Sequence, residues 1–393
     1  MPQTLLLLNQ HLRQNLITKN LKAVKFIFTA SVIGENMKNI LLIPVGGTIC
    51  TEVNEIGTLS VSKTAGMKLK AYFEKSDSLY VDKVNIEVTP NLCILSENMT
   101  VEKWNVIIDT YRKYTKDKKY NGIIFAHGTD TLAYSASLFS ILLSGTDTPV
   151  FFVSANERLE SARSNGNENF RCAVECICRN IQPNIYVPYK NISDGKMYIH
   201  LASRLEQCKN YSEDFFSKGA IDITDINDEN YSEYFDKLNK MYPQNHIKKA
   251  VDIYNMPPLK ECVLMIQPYV GINYSIFDYS KYSAVLHGTY HSGTACAEKT
   301  LENADYSENS VLYMLDQCAK INVDTYYSPA KLSGEIYETT GIINNHKSNP
   351  IFLYGYTTEV VYTKLLIAYS IFDDKEKARE FINTDYNFEK HGL

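Results

Sequence analysis

The chain has 393 residues, 45% hydrophobic and 22% charged, with a formal net charge of −5. This length suits two domains that each bury a core, and the composition excludes a disordered or fibrous chain. The acidic balance gives no field to hold a phosphate backbone, so no nucleic-acid partner is expected; nine scattered cysteines without a paired Cys-x-x-Cys knuckle fit free thiols in a reducing, cytoplasmic setting.

Residues 1–36 carry two apolar runs, Leu5 to Leu8 and Ala23 to Ala30, the second interrupted by Lys25. Neither nears the roughly 20 apolar residues of a membrane span, and no clear small-x-small cleavage site follows, which disfavours the alternative of a signal peptide. The stretch is read as an N-terminal extension ahead of a natural start at Met37, and no membrane association is expected. From Ile40 the pattern alternates short apolar strands (Ile40 to Val45, Gly122 to Ala126, Pro149 to Val153, Asn184 to Val187) with helical stretches (Thr100 to Lys113, Thr131 to Leu143, Asn169 to Arg179). Continuous apolar strands between helices predict an α/β fold, a doubly wound and mostly parallel sheet, over residues 37–220. A polar, acidic stretch over 221–260 reads as a linker, and a smaller α/β unit follows over 261–393, with strands at Cys262 to Gln267, Ser283 to Gly288 and Pro350 to Tyr354.

Two turns in the first unit leave strands toward helices, Gly46-Gly47-Thr48-Ile49 and His127-Gly128-Thr129-Asp130-Thr131. In open parallel sheets ligands settle beyond the carboxyl ends of the strands, where helix N-termini favour anionic groups. The glycines let backbone approach a ligand, the threonines present hydroxyls, and Asp130 can hold an ammonium. Singly, a Gly-Thr pair is an ordinary turn and Thr or Asp before a helix an ordinary cap. Together they describe a receptor for a zwitterion.

At these residues the chain resembles the bacterial-type L-asparaginase and glutaminase-asparaginase family, with a cytoplasmic, type I-like ending at Tyr356 to Lys364 that retains Glu359 and Lys364. An archaeal tRNA-dependent amidotransferase subunit belongs to the same group, although no added tRNA-binding domain is visible here. The resemblance runs from Met37 to Phe372 and includes a third segment, Ser96-Glu97-Asn98-Met99-Thr100. It implies that Thr48 attacks a side-chain amide, that Thr129 stands on the opposite face and helps move protons, and that Asp130 and Ser96 grip the α-amino and α-carboxylate groups. It further implies substrate contacts from Glu97, from backbone at Gly47 and Gly128, and from the carbonyl of Ala155. The expected substrate is a small amino-acid amide, with no cofactor or metal, in a homodimer or homotetramer.

Three departures stand out. Counting from Ser193-Asp194-Gly195-Lys196 puts His200 where the family has a lysine beside the second threonine, with Lys196 and Arg204 as alternatives. Thr58 falls where many members carry a lid tyrosine. Thr294, in Thr289-Tyr290-His291-Ser292-Gly293-Thr294, replaces an asparagine that reaches a neighbouring subunit's site. These changes leave room for a larger asparaginyl compound as substrate, or for a catalytically weakened binding or regulatory protein. Cys172, Cys176 and Cys178 share a predicted helix but lack the spacing of a metal site. Cys50, two residues after Thr48, has no identifiable base.

Overall fold

A computed structural model describes residues 37–53, 57–298, 306–330 and 336–391; the extension 1–36 lies outside the described residues. Strand β1 (Lys38–Pro44) leads through the first glycine turn into a short hairpin of β2 (Thr51–Val53) and β3 (Leu59–Val61). Helices and strands then alternate: α1 (Ala65–Glu74), β4 (Val84–Val88), α2 (Val101–Thr115), β5 (Gly122–Ala126), α3 (Leu132–Leu142), β6 (Val150–Val153), α4 (Gly166–Cys178) and β7 (Ile185–Lys190). The chain reverses through β8 (Met197–Leu201), forms a small hairpin of β9 (Leu205–Glu206) and β10 (Phe216–Ser217), and adds β11 (Ile221–Asp222).

The result is a seven-stranded sheet in the order β11-β8-β7-β6-β5-β1-β4, parallel from β4 through β7 and antiparallel at β8 and β11. Leu41, Ile43, Phe125 and Phe152 face one core, shared with Trp104 of α2 and with α3, while Ile40, Leu42, Ile124 and Phe151 face the other, shared with Leu69 of α1 and Phe170 of α4. Burial on both faces is why these strands read as unbroken apolar runs. Because β1, β5, β6 and β7 run parallel, the turns that leave them gather on one edge.

The stretch 221–260, expected as a linker, carries β11 and a helix, α5 (Tyr231–Met241), whose Phe235 and Leu238 are buried against the first unit. Their helical spacing is hidden in sequence by the acidic residues on the helix's outer face. The second unit holds β12 (Val263–Ile266), β13 (Ala284–His287), α6 (Val311–Lys320), β14 (Asp324–Ala330), α7 (Glu338–Asn344) and β15 (Ile351–Tyr354), with its four strands parallel in that order.

Helix α8 (Thr358–Ile371) joins the units: its Val360, Leu365 and Leu366 belong to the same apolar core as Leu138 and Phe139 of α3. After α9 (Lys375–Asn383) the chain returns to the first unit. There the Asn387 side-chain amide donates to the Ser140 carbonyl (3.2 Å) and to Asn184 (2.9 Å), and the Ser203 hydroxyl donates to the Asn387 carbonyl (2.7 Å). This return is fixed by a buried ion pair of Lys364 with Glu389, whose carboxylate also accepts from the backbone N–H groups of Tyr386 and Asn387. Among the described residues no helix is long and apolar enough to cross a membrane.

Candidate functional site

Three backbone segments meet at the carboxyl edge of the large sheet. The turn after β1 is clamped from both sides: Val45 N–H donates to the Ala126 carbonyl (2.8 Å) and Gly47 N–H to the Ile94 carbonyl (3.0 Å). At Gly47, with φ +75°, a Cβ would lie 2.0 Å from the Gly128 Cα; at Gly128 it would lie 2.4 Å from the Ser96 hydroxyl. Only glycine fits such contacts. The close packing brings Thr48, Ser96 and the Gly128-Thr129-Asp130 turn into one cluster.

Thr48 opens a 3-10 turn (Thr48–Cys50) and is half-buried, whereas Ile49 and Cys50 point into the core. Its carbonyl accepts from the Thr51 hydroxyl at 2.8 Å. The Ser96 hydroxyl donates to the Asp130 carboxylate (3.0 Å), and the Thr131 hydroxyl donates to the Ser96 carbonyl (3.0 Å), so the Ser96 and Asp130 turns are bonded to each other. Glu97 is exposed beside them. His127, behind Gly128, is buried and its Nδ1–H donates to the Gly128 carbonyl at 2.8 Å. Burial pulls its pKa down to about 4, so the ring is neutral and stiffens the turn.

The second threonine is supported from an unexpected quarter. His200 lies on β8, with β7 and β6 between that strand and β5, and its Nδ1 pairs with the Ser217 hydroxyl at 2.9 Å. Burial pulls its pKa down to about 3, so it supplies no positive charge near neutral pH. Lys196 pairs with Asp222, and Arg204 donates to the carbonyls of Phe388 and Lys390. The side chain that reaches Thr129 is Gln207. Its Nε2–H donates to the Thr129 carbonyl (2.8 Å), its Oε1 accepts from Ala133 N–H (3.2 Å), and its own N–H donates to Glu359 (2.9 Å). Counting along an unbroken strand from Gly195 selects His200, but a 3-10 turn at Ala202–Arg204 re-aims the chain so that residue 207 arrives at the site. Glu359 sits buried at the start of α8, where desolvation pushes its carboxyl above the usual range.

The other expected residues divide. Ala155 is buried just past β6, and the next residue, Asn156, joins Thr129, Asp130 and Gln207 in the wall of a cavity of about 400 Å³. Thr58 is exposed beside the start of β3. Thr294 belongs to the second unit, where its carbonyl accepts from Tyr290 N–H at 2.8 Å, and it is not part of that wall. Burial pushes the Cys50 thiol up to about 12, which keeps it protonated. Cys172 and Cys176 stand one helical turn apart and interact with each other.

Residues 39–237 match the family model "Asparaginase, N-terminal". This chain belongs to the asparaginase family. Over its fold the asparaginase-family protein is similar to the thermostable L-asparaginase from Thermococcus kodakarensis, with TM-score 0.64 and 19% identity, covering 90% of this chain and 100% of that one. L-asparaginase I from Vibrio cholerae aligns with TM-score 0.62 and 19% identity, covering 90% and 99%. By sequence it is 26% identical over 309 residues to the D subunit of the glutamyl-tRNA(Gln) amidotransferase of Methanococcus maripaludis, covering 76% of this chain and 71% of the relative. The same-named protein of Archaeoglobus fulgidus is 26% identical over 294 residues, covering 72% and 66%. The protein thus has the fold of an asparaginase-family amidohydrolase.

Proposed function

We propose that this protein hydrolyses the side-chain amide of L-asparagine, or of a related linear amide, to a carboxylate and ammonia through a threonine nucleophile. The observation that carries the reading is the contact of Gly47, Gly128 and Ser96, which clusters Thr48, Thr129 and Asp130. Thr48 Oγ attacks the amide carbon, its proton passes toward the departing nitrogen, and ammonia leaves an ester that water then opens. Among the described residues no backbone bond engages the N–H groups of Thr48 and Thr129, which leaves both available to an oxyanion. Asp130 takes the α-ammonium and Ser96 the α-carboxylate.

Ammonia release from L-asparagine and L-glutamine is the test. The wild type releases ammonia, and Thr48→Ala loses at least about 1,000-fold in kcat, roughly the loss that follows removal of a nucleophile elsewhere. Full activity in Thr48→Ala, or none in the wild type with either amide, sinks the reading.

A second reading has one observation in its favour. Gln207 is neutral, and no fixed cation supports Thr129 among the described residues, so a slow or binding-only homologue fits the same pocket. Stabilisation by aspartate or asparagine without ammonia release marks that case. The relatives named for a tRNA amidotransferase also leave the expectation of no nucleic-acid partner without support; a tRNA gel shift decides it. We further propose a cytoplasmic homodimer or homotetramer, whose assembly light scattering tests.

A further inference from the structure

The cavity beside Thr129 and Asp130 is larger than the expected substrate. At about 400 Å³ it falls within the roughly 300–1,000 Å³ in which proteins enclose drug-sized ligands, and a free asparagine fills only part of it. Its far wall comes from the loop that joins β9 to β10, residues 207–215. That loop is anchored at both ends: Gln207 is tied to Thr129 and Glu359, and Phe215 packs its buried ring against Tyr189 with centroids 4.8 Å apart. Between the anchors the loop projects outward.

Two features of this wall indicate what it receives. Tyr211 stands fully exposed at the rim, on a backbone with φ +62°, a conformation that costs a non-glycine residue free energy and gathers at functional sites. Lys209 is exposed on the same wall, and among the described residues its ammonium has no carboxylate partner. Asp130 and the exposed Glu213 are the carboxylates of the lining, so the cavity offers acids, one exposed aromatic ring and one cation without a carboxylate partner among the described residues.

We propose that the substrate is an asparagine at the N-terminus of a short peptide, a dipeptide with an aromatic second residue and a free C-terminal carboxylate in particular. This inference rests on the amidohydrolase reading above. The α-ammonium meets Asp130, the second side chain lies against Tyr211, and the C-terminal carboxylate meets Lys209. Ser96 donates to the peptide carbonyl in place of an α-carboxylate. The covalent step is unchanged: the carbon–nitrogen bond of the asparagine amide breaks as the Thr48 ester forms, and water then breaks the ester. One water is consumed, one ammonia and one side-chain carboxylate appear, and the peptide bond stays intact.

The test compares kcat/KM for ammonia release from asparaginyl-phenylalanine, from its C-terminal amide and from free asparagine, in the wild type, Lys209→Ala, Lys209→Arg and Tyr211→Ala. Both side chains are exposed, so the variants keep the fold. In the wild type the dipeptide exceeds free asparagine by about tenfold or more, and Tyr211→Ala lowers that ratio. Amidation of the C-terminus lowers kcat/KM about two- to fivefold in the wild type and in Lys209→Arg but not in Lys209→Ala, the coupling expected of one exposed ion pair. If free asparagine is the better substrate, or amidation acts equally in Lys209→Ala, the peptide inference fails while the hydrolase reading stands. Ammonia from none of the three compounds removes both.

Discussion

Gln207 and the glycines decide how well the two threonines are held. A methyl group at Gly47 meets backbone, the Gly128 Cα at 2.0 Å, and neither strand exit can move without breaking the bonds to Ala126 and Ile94. Gly47→Ala is expected to lower unfolding free energy by about 2–4 kcal/mol and to abolish turnover, measured by urea denaturation and ammonia release. Gln207 acts more locally. Gln207→Ala frees the Thr129 carbonyl and the Ala133 N–H, so kcat is expected to fall about tenfold with KM within about twofold, as when a group matters mainly in the transition state. A rise in KM at constant kcat instead assigns Gln207 to uniform binding. Gln207→Lys places a cation beside Thr129; a pH–rate profile that stays the same as the wild type's rejects an electrostatic role for this position.

Helix α8 and the segment after it show what can and cannot be read from the sequence at the scale of elements. The parallel strands, their alternating helices and the convergence of the two threonine turns were legible because each depends on local pattern: apolar runs, and glycines where backbones touch. Gln207 was not, since its position depends on a three-residue 3-10 turn that no periodicity marks, and its support from Glu359 spans 152 residues. Helix α5 was missed because its apolar stripe is narrow and its surroundings acidic. Lys364 and Glu389 carry a prediction at this scale. Lys364→Met leaves a buried carboxylate without its cation and is expected to cost about 3–5 kcal/mol, while adding Glu389→Gln, which still accepts from the Tyr386 and Asn387 N–H groups, recovers most of it. Equal denaturation midpoints for the single and double variants count against the pair.

At the scale of the whole molecule, the three histidines buried among the described residues make stability depend on pH. His127, His200 and His287 are held neutral by burial, with pKa values near about 4, 3 and 4, while in the unfolded chain each titrates near its ordinary value. Above about pH 6.5 neither state binds these protons and nothing is lost. Below it the unfolded chain takes up protons that the fold refuses, so stability falls as pH falls toward about 4, by up to about 1.4 kcal/mol per pH unit for each histidine. Denaturation free energies at about pH 7, 6 and 5 check this, and His200→Gln is expected to reduce the slope by about one proton; a flat profile across that range contradicts it. The bond from Gln207 to Glu359 also sets when the support of the second threonine is completed. During synthesis every threonine, serine and aspartate of the cluster is in place once residue 131 is made, yet the group that fixes Gln207 against the second threonine lies 152 residues beyond Gln207 itself. On the ribosome, then, the side chains of the site are made early, and the hold on the second threonine is completed only when α8 emerges and docks.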